Sequence, residues 1–151
     1  MRMSLSLAAA LLAVLTAAAS AQQKPDFSGT WVTVSPAEHA GQEETITHTA
    51  ATLSLGHAAS HGGHHAVSYR LDGSESRSTM MSHDEEIISV ATASWNGDQL
   101  VILRATQYPD GSKIESRMTF ALNAEGQLVR ELIDTIDGKP QPAVTVVARK
   151  K

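Results

Sequence analysis

Residues 99–136 read QLVILRATQYPDGSKIESRMTFALNAEGQLVRELIDTI, and this stretch decides the fold. Pro109-Asp110-Gly111 suits a type I turn closed by a Gly bulge, a three-residue hairpin loop that pairs Tyr108 with Ser112. Counting back along both strands pairs Arg104 with Ser116 and Ile102 with Met118. Asn123-Ala124-Glu125-Gly126-Gln127 reads the same way and pairs Leu122 with Leu128, Phe120 with Arg130, Met118 with Leu132 and Ser116 with Asp134. Strand side chains alternate faces with a period of two. One face therefore holds Leu100, Ile102, Met118, Phe120, Leu122, Leu128 and Leu132. The other holds Lys113, Glu115, Arg117, Thr119, Glu125 and Glu131 among smaller apolar residues. The first face is the expected interior. It also carries a polar row of Arg104, Ser116 and Asp134 across three strands, with Arg130 beside Phe120.

The same pattern extends outward. Turn signals recur at hairpin spacing at Asp72-Gly73, Asn96-Gly97 and Asp137-Gly138. Between the turns lie ten expected strands: 28–34, 44–49, 52–56, 66–72, 75–82, 86–95, 99–108, 112–122, 127–136 and 143–150. Strands in series joined by short turns are antiparallel neighbours. A meander that long curls, and closing it removes exposed edges. The expectation is an all-β, single up-and-down antiparallel barrel or curled meander of about ten strands. A two-sheet β-sandwich is the alternative.

The N-terminus reads differently. Met1-Arg2-Met3 is a short basic start, Ser4 to Ala18 is apolar, and Ala19-Ser20-Ala21 has the small residues of a cleavage site. Residues 1–21 are the expected signal peptide, with cleavage near Ala21 and export to the periplasm or medium. Their apolar run is shorter than the roughly 20 residues a membrane span needs, which speaks against an integral membrane protein. Residues 22–27 are the expected flexible lead-in, and 28–151 the barrel domain. Without Arg2 the chain has 11 basic against 16 acidic residues, with the basic ones scattered, which argues against nucleic acid as a partner. Cys is absent, so thiolate chemistry is not available.

The first strand opens Asp26-Phe27-Ser28-Gly29-Thr30-Trp31, and Leu71-Asp72-Gly73-Ser74-Glu75 follows later. Both stretches resemble small exported bacterial lipocalin-like proteins of the calycin type. The Gly-Thr-Trp step resembles the Gly-x-Trp signature of lipocalin first strands. That resemblance implies that Trp31 plugs one barrel end and that a basic residue of the last strand, here Arg149, packs across it. Residues from Asn96 to Arg149 are similar to the final hairpins of fatty-acid-binding barrels, whose interior arginines hold a carboxylate. By that likeness Arg104 or Arg130 holds a ligand's acid group. Two departures stand against it. Residues 35–43 are too few for the two-helix lid of fatty-acid-binding barrels, and no helix follows the last strand.

Other chemistry is thinly supplied. His57, His61, His64 and His65 sit in a Gly-rich loop, with His83 further on. Imidazoles in such a loop suit zinc or copper, bound specifically or adventitiously, though no standard ligand spacing is present. The acidic clusters Glu43-Glu44, Asp84-Glu85-Glu86 and Glu131/Asp134 have no surrounding sugar platform for glycoside hydrolysis. No serine lies in a nucleophile elbow, and no phosphate loop is present. A haem barrel would need one axial His in a cavity. The expectation is a non-enzyme without a resident cofactor. It is a binding module for a small apolar or amphipathic molecule, with Arg104, Ser116, Phe120, Arg130 and Asp134 as candidate site residues. A packed barrel that meets a protein partner, with Arg104 and Asp134 as an internal pair, and a metal-binding role for the His loop are the alternatives.

Overall fold

The computed structural model describes residues 23–58, 64–82 and 85–151, apart from the side chains of residues 57, 58, 64, 65 and 82. The expected signal peptide therefore lies outside the described residues. Eleven strands follow one another: β1 (Gly29–Ser35), β2 (Glu43–His48), β3 (Thr52–Ala58), β4 (His64–Arg70), β5 (Ser76–Ser82), β6 (Glu85–Asn96), β7 (Gln99–Gln107), β8 (Lys113–Leu122), β9 (Leu128–Ile136), β10 (Lys139–Pro140) and β11 (Val144–Lys150). Among the described residues a single 3-10 turn, Ala37–His39, interrupts them. Among the described residues no helix is long and apolar enough to cross a membrane.

All strands join one antiparallel sheet in the order β4-β3-β2-β1-β11-β9-β8-β7-β6-β5, with the short β10 beside β9. Pairing of β1 with β11, from Trp31 opposite Lys150 to Ser35 opposite Val147, brings the two halves of the chain together. The ends of the order, β4 and β5, are joined by the Leu71–Glu75 turn, where the Arg70 amide donates to the Ser76 hydroxyl at 2.8 Å. They share no ladder, so the sheet is a nearly closed barrel with one unsealed seam. The expected barrel is thus observed.

The expected register holds at every pair. Arg104 faces Ser116, Ser116 faces Asp134, Phe120 faces Arg130 and Leu122 faces Leu128. The turns fix it: the Gly111 amide donates to the Tyr108 carbonyl, and the Tyr108 amide to the Ser112 carbonyl, each at 3.0 Å. The tenth expected strand is β11, and a short unexpected strand, β10, precedes it. Asp137 and Gly138 both take positive φ, 48° and 78°, as a two-residue type I′ hairpin demands. The ladder then runs from Lys139 opposite Ile136 to the Gln141 amide on the Asp134 carbonyl at 2.8 Å. Pro142 has no N–H to continue it. One extra residue is taken up there before Val144 pairs with Leu132.

The core is the inner face predicted from the hairpins. Leu100, Ile102, Met118, Phe120 and Leu128 are buried and pack with Ile46, Leu53, Leu55 and Tyr69 from the opposite wall. Each such side chain contributes about 1.5–3 kcal/mol when fully buried. Trp31 is buried as expected, but its cation is not Arg149. Arg149 stands opposite Val32 and is exposed. Lys150, the register partner of Trp31, places Nζ 5.6 Å from the indole centroid. The period of two decides this: the residue on the inner parity is Lys150, and Arg149 takes the outer one.

The described part of the lead-in packs against the barrel. Phe27 has no exposed surface and stacks against both His48 and Trp95, with centroid separations of 5.7 and 5.9 Å. The Trp31 indole N–H donates to the Phe27 carbonyl at 2.8 Å. Lys24 ties the segment to the β6–β7 turn by donating to the Gly97 carbonyl at 2.6 Å.

Candidate ligand site in the barrel interior

Alternation in β7 turns Arg104 inward, one turn of the pleat beyond buried Ile102. Its expected counter-ion was Asp134, two strands away in the same row. The structure gives Asp134 another partner: the Ser116 hydroxyl donates to its Oδ1 at 2.6 Å, and Ser116 is buried. No ion pair joins Arg104 to Asp134 among the described residues. The Arg104 Nε is buried and has no hydrogen-bond acceptor. Its neighbour is Tyr69 of β4. Burial pushes the Tyr69 phenol above its ordinary range, and the Arg104 guanidinium opposes this through its charge and a hydrogen bond.

Arg130 is settled differently. It needs an anion inside the barrel, and Glu44 of β2 supplies one from across β1 and β11. Arg130 Nη1 donates to both Glu44 carboxylate oxygens, at 2.9 and 2.7 Å. The guanidinium carbon also lies 5.9 Å from the Phe120 ring centroid, a cation–π contact. Arg130 is therefore paired with a carboxylate within the chain, whereas the Arg104 Nε has no hydrogen-bond partner among the described residues.

Both arginines and Tyr69 border a cavity of about 240 Å3. Leu55, Val67, Met118, Leu132 and Val146 make its apolar walls. Apolar walls around a few convergent polar groups are the usual composition of a small-molecule site. The volume is below the roughly 300–1,000 Å3 typical of drug-sized ligands. A larger concavity, about 520 Å3, runs over β6–β9 around Leu103, Arg117 and Ile133, and Arg104 and Ser116 border it as well. It opens broadly to solvent, and Leu103 there is exposed. Among the described residues, the interior cavity brings Arg104 together with the Tyr69 phenol and is the less open of the two.

Of the five candidate residues, the structure places Arg104 and Arg130 on the cavity, Phe120 beneath Arg130, and Ser116 with Asp134 as a mutual pair to one side. Sequence reasoning missed Tyr69 and Glu44. A signal for Glu44 was present: Ile46 is an inward residue, so period two puts Glu44 inward as well. The His57, His61, His64 and His65 group falls outside the described residues, either whole or by side chain. The backbone register alone sets His57 opposite His65.

These features define a nearly closed antiparallel barrel with an interior arginine whose buried Nε has no partner among the described residues. No family model matches the chain, and no curated protein matches it either. Among solved structures, the fold is similar to that of secretory abundant heat soluble protein 4 from Ramazzottius varieornatus. The TM-score is 0.48 and the identity 11%, over 82% of this chain and 94% of that one.

Proposed function

We propose that this protein is an exported, non-catalytic binding module that holds a small amphipathic carboxylic acid inside its barrel. The carboxylate sits against Arg104 and Tyr69, and the apolar tail lies along Leu55, Val67, Met118 and Leu132. One observation carries the reading: Arg104 borders an apolar-walled cavity with a buried, unsatisfied Nε, while Arg130 beside it is already paired with Glu44. A buried guanidinium without an anion is costly, and a carboxylate would satisfy it with charge-assisted hydrogen bonds. The cavity volume favours a short chain over a long one.

Titration with a fluorescent short-chain carboxylic acid tests this. Saturable binding is expected in the wild type, with at least a tenfold loss in Arg104→Met, equivalent to about 1.4 kcal/mol. The matching alcohol, which lacks the charge, should bind no better to wild type than to Arg104→Met. Absence of saturable binding to any acid probe would leave a packed structural barrel as the reading instead.

A further inference from the structure

We infer that His48 is a two-position hydrogen-bond switch that sets how firmly the lead-in plugs the closed end of the barrel. The end is closed by Phe27, which is fully buried and is held there by the short segment Lys24–Ser28. The segment has two anchors on β2. At Ser28 the anchor is pH-indifferent: its hydroxyl donates to the His48 carbonyl at 3.1 Å and accepts from the His48 amide at 3.2 Å. At Phe27 the anchor runs through the imidazole, because the Phe27 amide donates to His48 Nδ1 at 3.2 Å. That bond requires Nδ1 to be an unprotonated acceptor, so it exists only with the neutral ring carrying its proton on Nε2.

A second partner waits beside the same nitrogen. The Asp26 Oδ1 is 3.5 Å from Nδ1 and accepts meanwhile from the Ser28 amide at 2.8 Å. Protonation turns Nδ1 from an acceptor into a donor. The Phe27 amide then loses its acceptor, and the imidazolium turns its new N–H to the Asp26 carboxylate. The imidazole side chain is only 10% exposed, so water does not readily replace the lost bond. The charged groups around the ring are few. Asp26 and Lys24 come from the lead-in, with Lys24 Nζ 5.3 Å from the Trp95 ring that itself contacts His48. Lys150 of β11 acts on Asp26 electrostatically. The two lysines oppose the imidazolium and Asp26 favours it. Ser28 stays fixed throughout, so the movable part is Lys24–Phe27, pivoting on Ser28.

Nuclear magnetic resonance of the full chain across about pH 5 to 8, where histidine titrates, reads the switch directly. The His48 Nδ1 resonance reads directly whether that nitrogen is bare or protonated at each pH. The Phe27 amide shift should follow the same curve, and its hydrogen exchange, corrected for intrinsic pH dependence, should accelerate at least tenfold on the acid side. His48→Gln keeps an acceptor for Phe27 without a titrating group and should abolish the amide transition. Asp26→Asn removes the carboxylate of the second position and should leave the protonated Nδ1 without its charged acceptor. A Phe27 amide transition that persists in His48→Gln overturns the switch. So does a wild-type Phe27 amide that ignores His48 titration, and this readout needs no variant to fold.

Discussion

Gly29 has a φ of +130°, a backbone conformation that L side chains rarely adopt. A Cβ built there would lie 2.5 Å from Lys150 Cε, in the side chain that crosses Trp31. The Gly and Trp of the first strand are thus linked through one lysine: the small residue leaves room for the cation that covers the large one. Gly29→Ala should cost about 1–3 kcal/mol from strain at that φ. Lys150→Ala should cost about 0.5–1 kcal/mol through the lost cation–π contact. Arg149→Ala should be neutral within about 0.5 kcal/mol, as for an ordinary surface substitution. Denaturant unfolding ranks the three; equal costs for the two cations would show that neither is tied to Trp31. Glu44→Gln tests the second interior arginine. Removing one partner of a buried pair costs about 3–5 kcal/mol, and the lower end applies because 24% of the Arg130 side chain still meets solvent.

Register was legible in the sequence because turns are local. Five residues from Tyr108 to Ser112 set the pairing of two whole strands, and the Asn123–Gln127 turn carried the count on to Asp134. Contacts across the barrel were not legible in this way. Glu44 reaches Arg130 over 86 positions of chain, and Tyr69 reaches Arg104 from the opposite wall. No turn specifies those distances; they depend on barrel closure. Phe27 was missed because it precedes the first strand and so lies outside the alternation that marks inward residues. The turns also predict a pH response. Asp72 and Asp110 accept hydrogen bonds from the hydroxyls and amides of Ser74 and Ser112, which hold both carboxyls below the ordinary 3.8. At Asp26 the Ser28 amide has the same effect. A carboxyl whose folded pKa is lowered stabilises the fold above its unfolded value, and this is lost as pH falls through the folded one. The melting temperature should therefore hold from neutral pH down to about 4 and fall below it, carboxylates being protonated there. In Asp72→Asn/Asp110→Asn the fall should be shallower; an unchanged slope would remove these two turns as its source.

At the scale of the whole barrel, closure is uneven. β1 and β11 are sealed by a ladder, whereas β4 is paired only with β3 and β5 only with β6. Strands with one free edge open locally at lower free energy than strands laddered on both sides. The amides of Ala66–Arg70 and Ser76–Met81 should thus exchange with solvent well before those of Ile102, Met118 and Phe120, whose strands are flanked on both sides. The cavity lies against this weak place. Val67 and Tyr69 of β4 line it, while its opposite wall belongs to β7, β8, β9 and β11, all fully laddered. An opening at the seam therefore exposes Tyr69 and Arg104 together, without disturbing the packed end around Phe27, Trp31 and Phe120. Bound carboxylate would bridge the seam strand to the rigid wall, from Tyr69 on one side to Arg104 on the other. A ligand that binds only the closed form stabilises it by RT ln(1 + [L]/Kd), about 2.7 kcal/mol at a hundredfold excess over Kd. Exchange at Val67–Tyr69 should then slow by roughly a hundredfold under that excess. Exchange in β5, which does not border the cavity, should change little. Equal slowing in β4 and β5 would mean that the acid stabilises the barrel as a whole, and that the seam is not the part it closes.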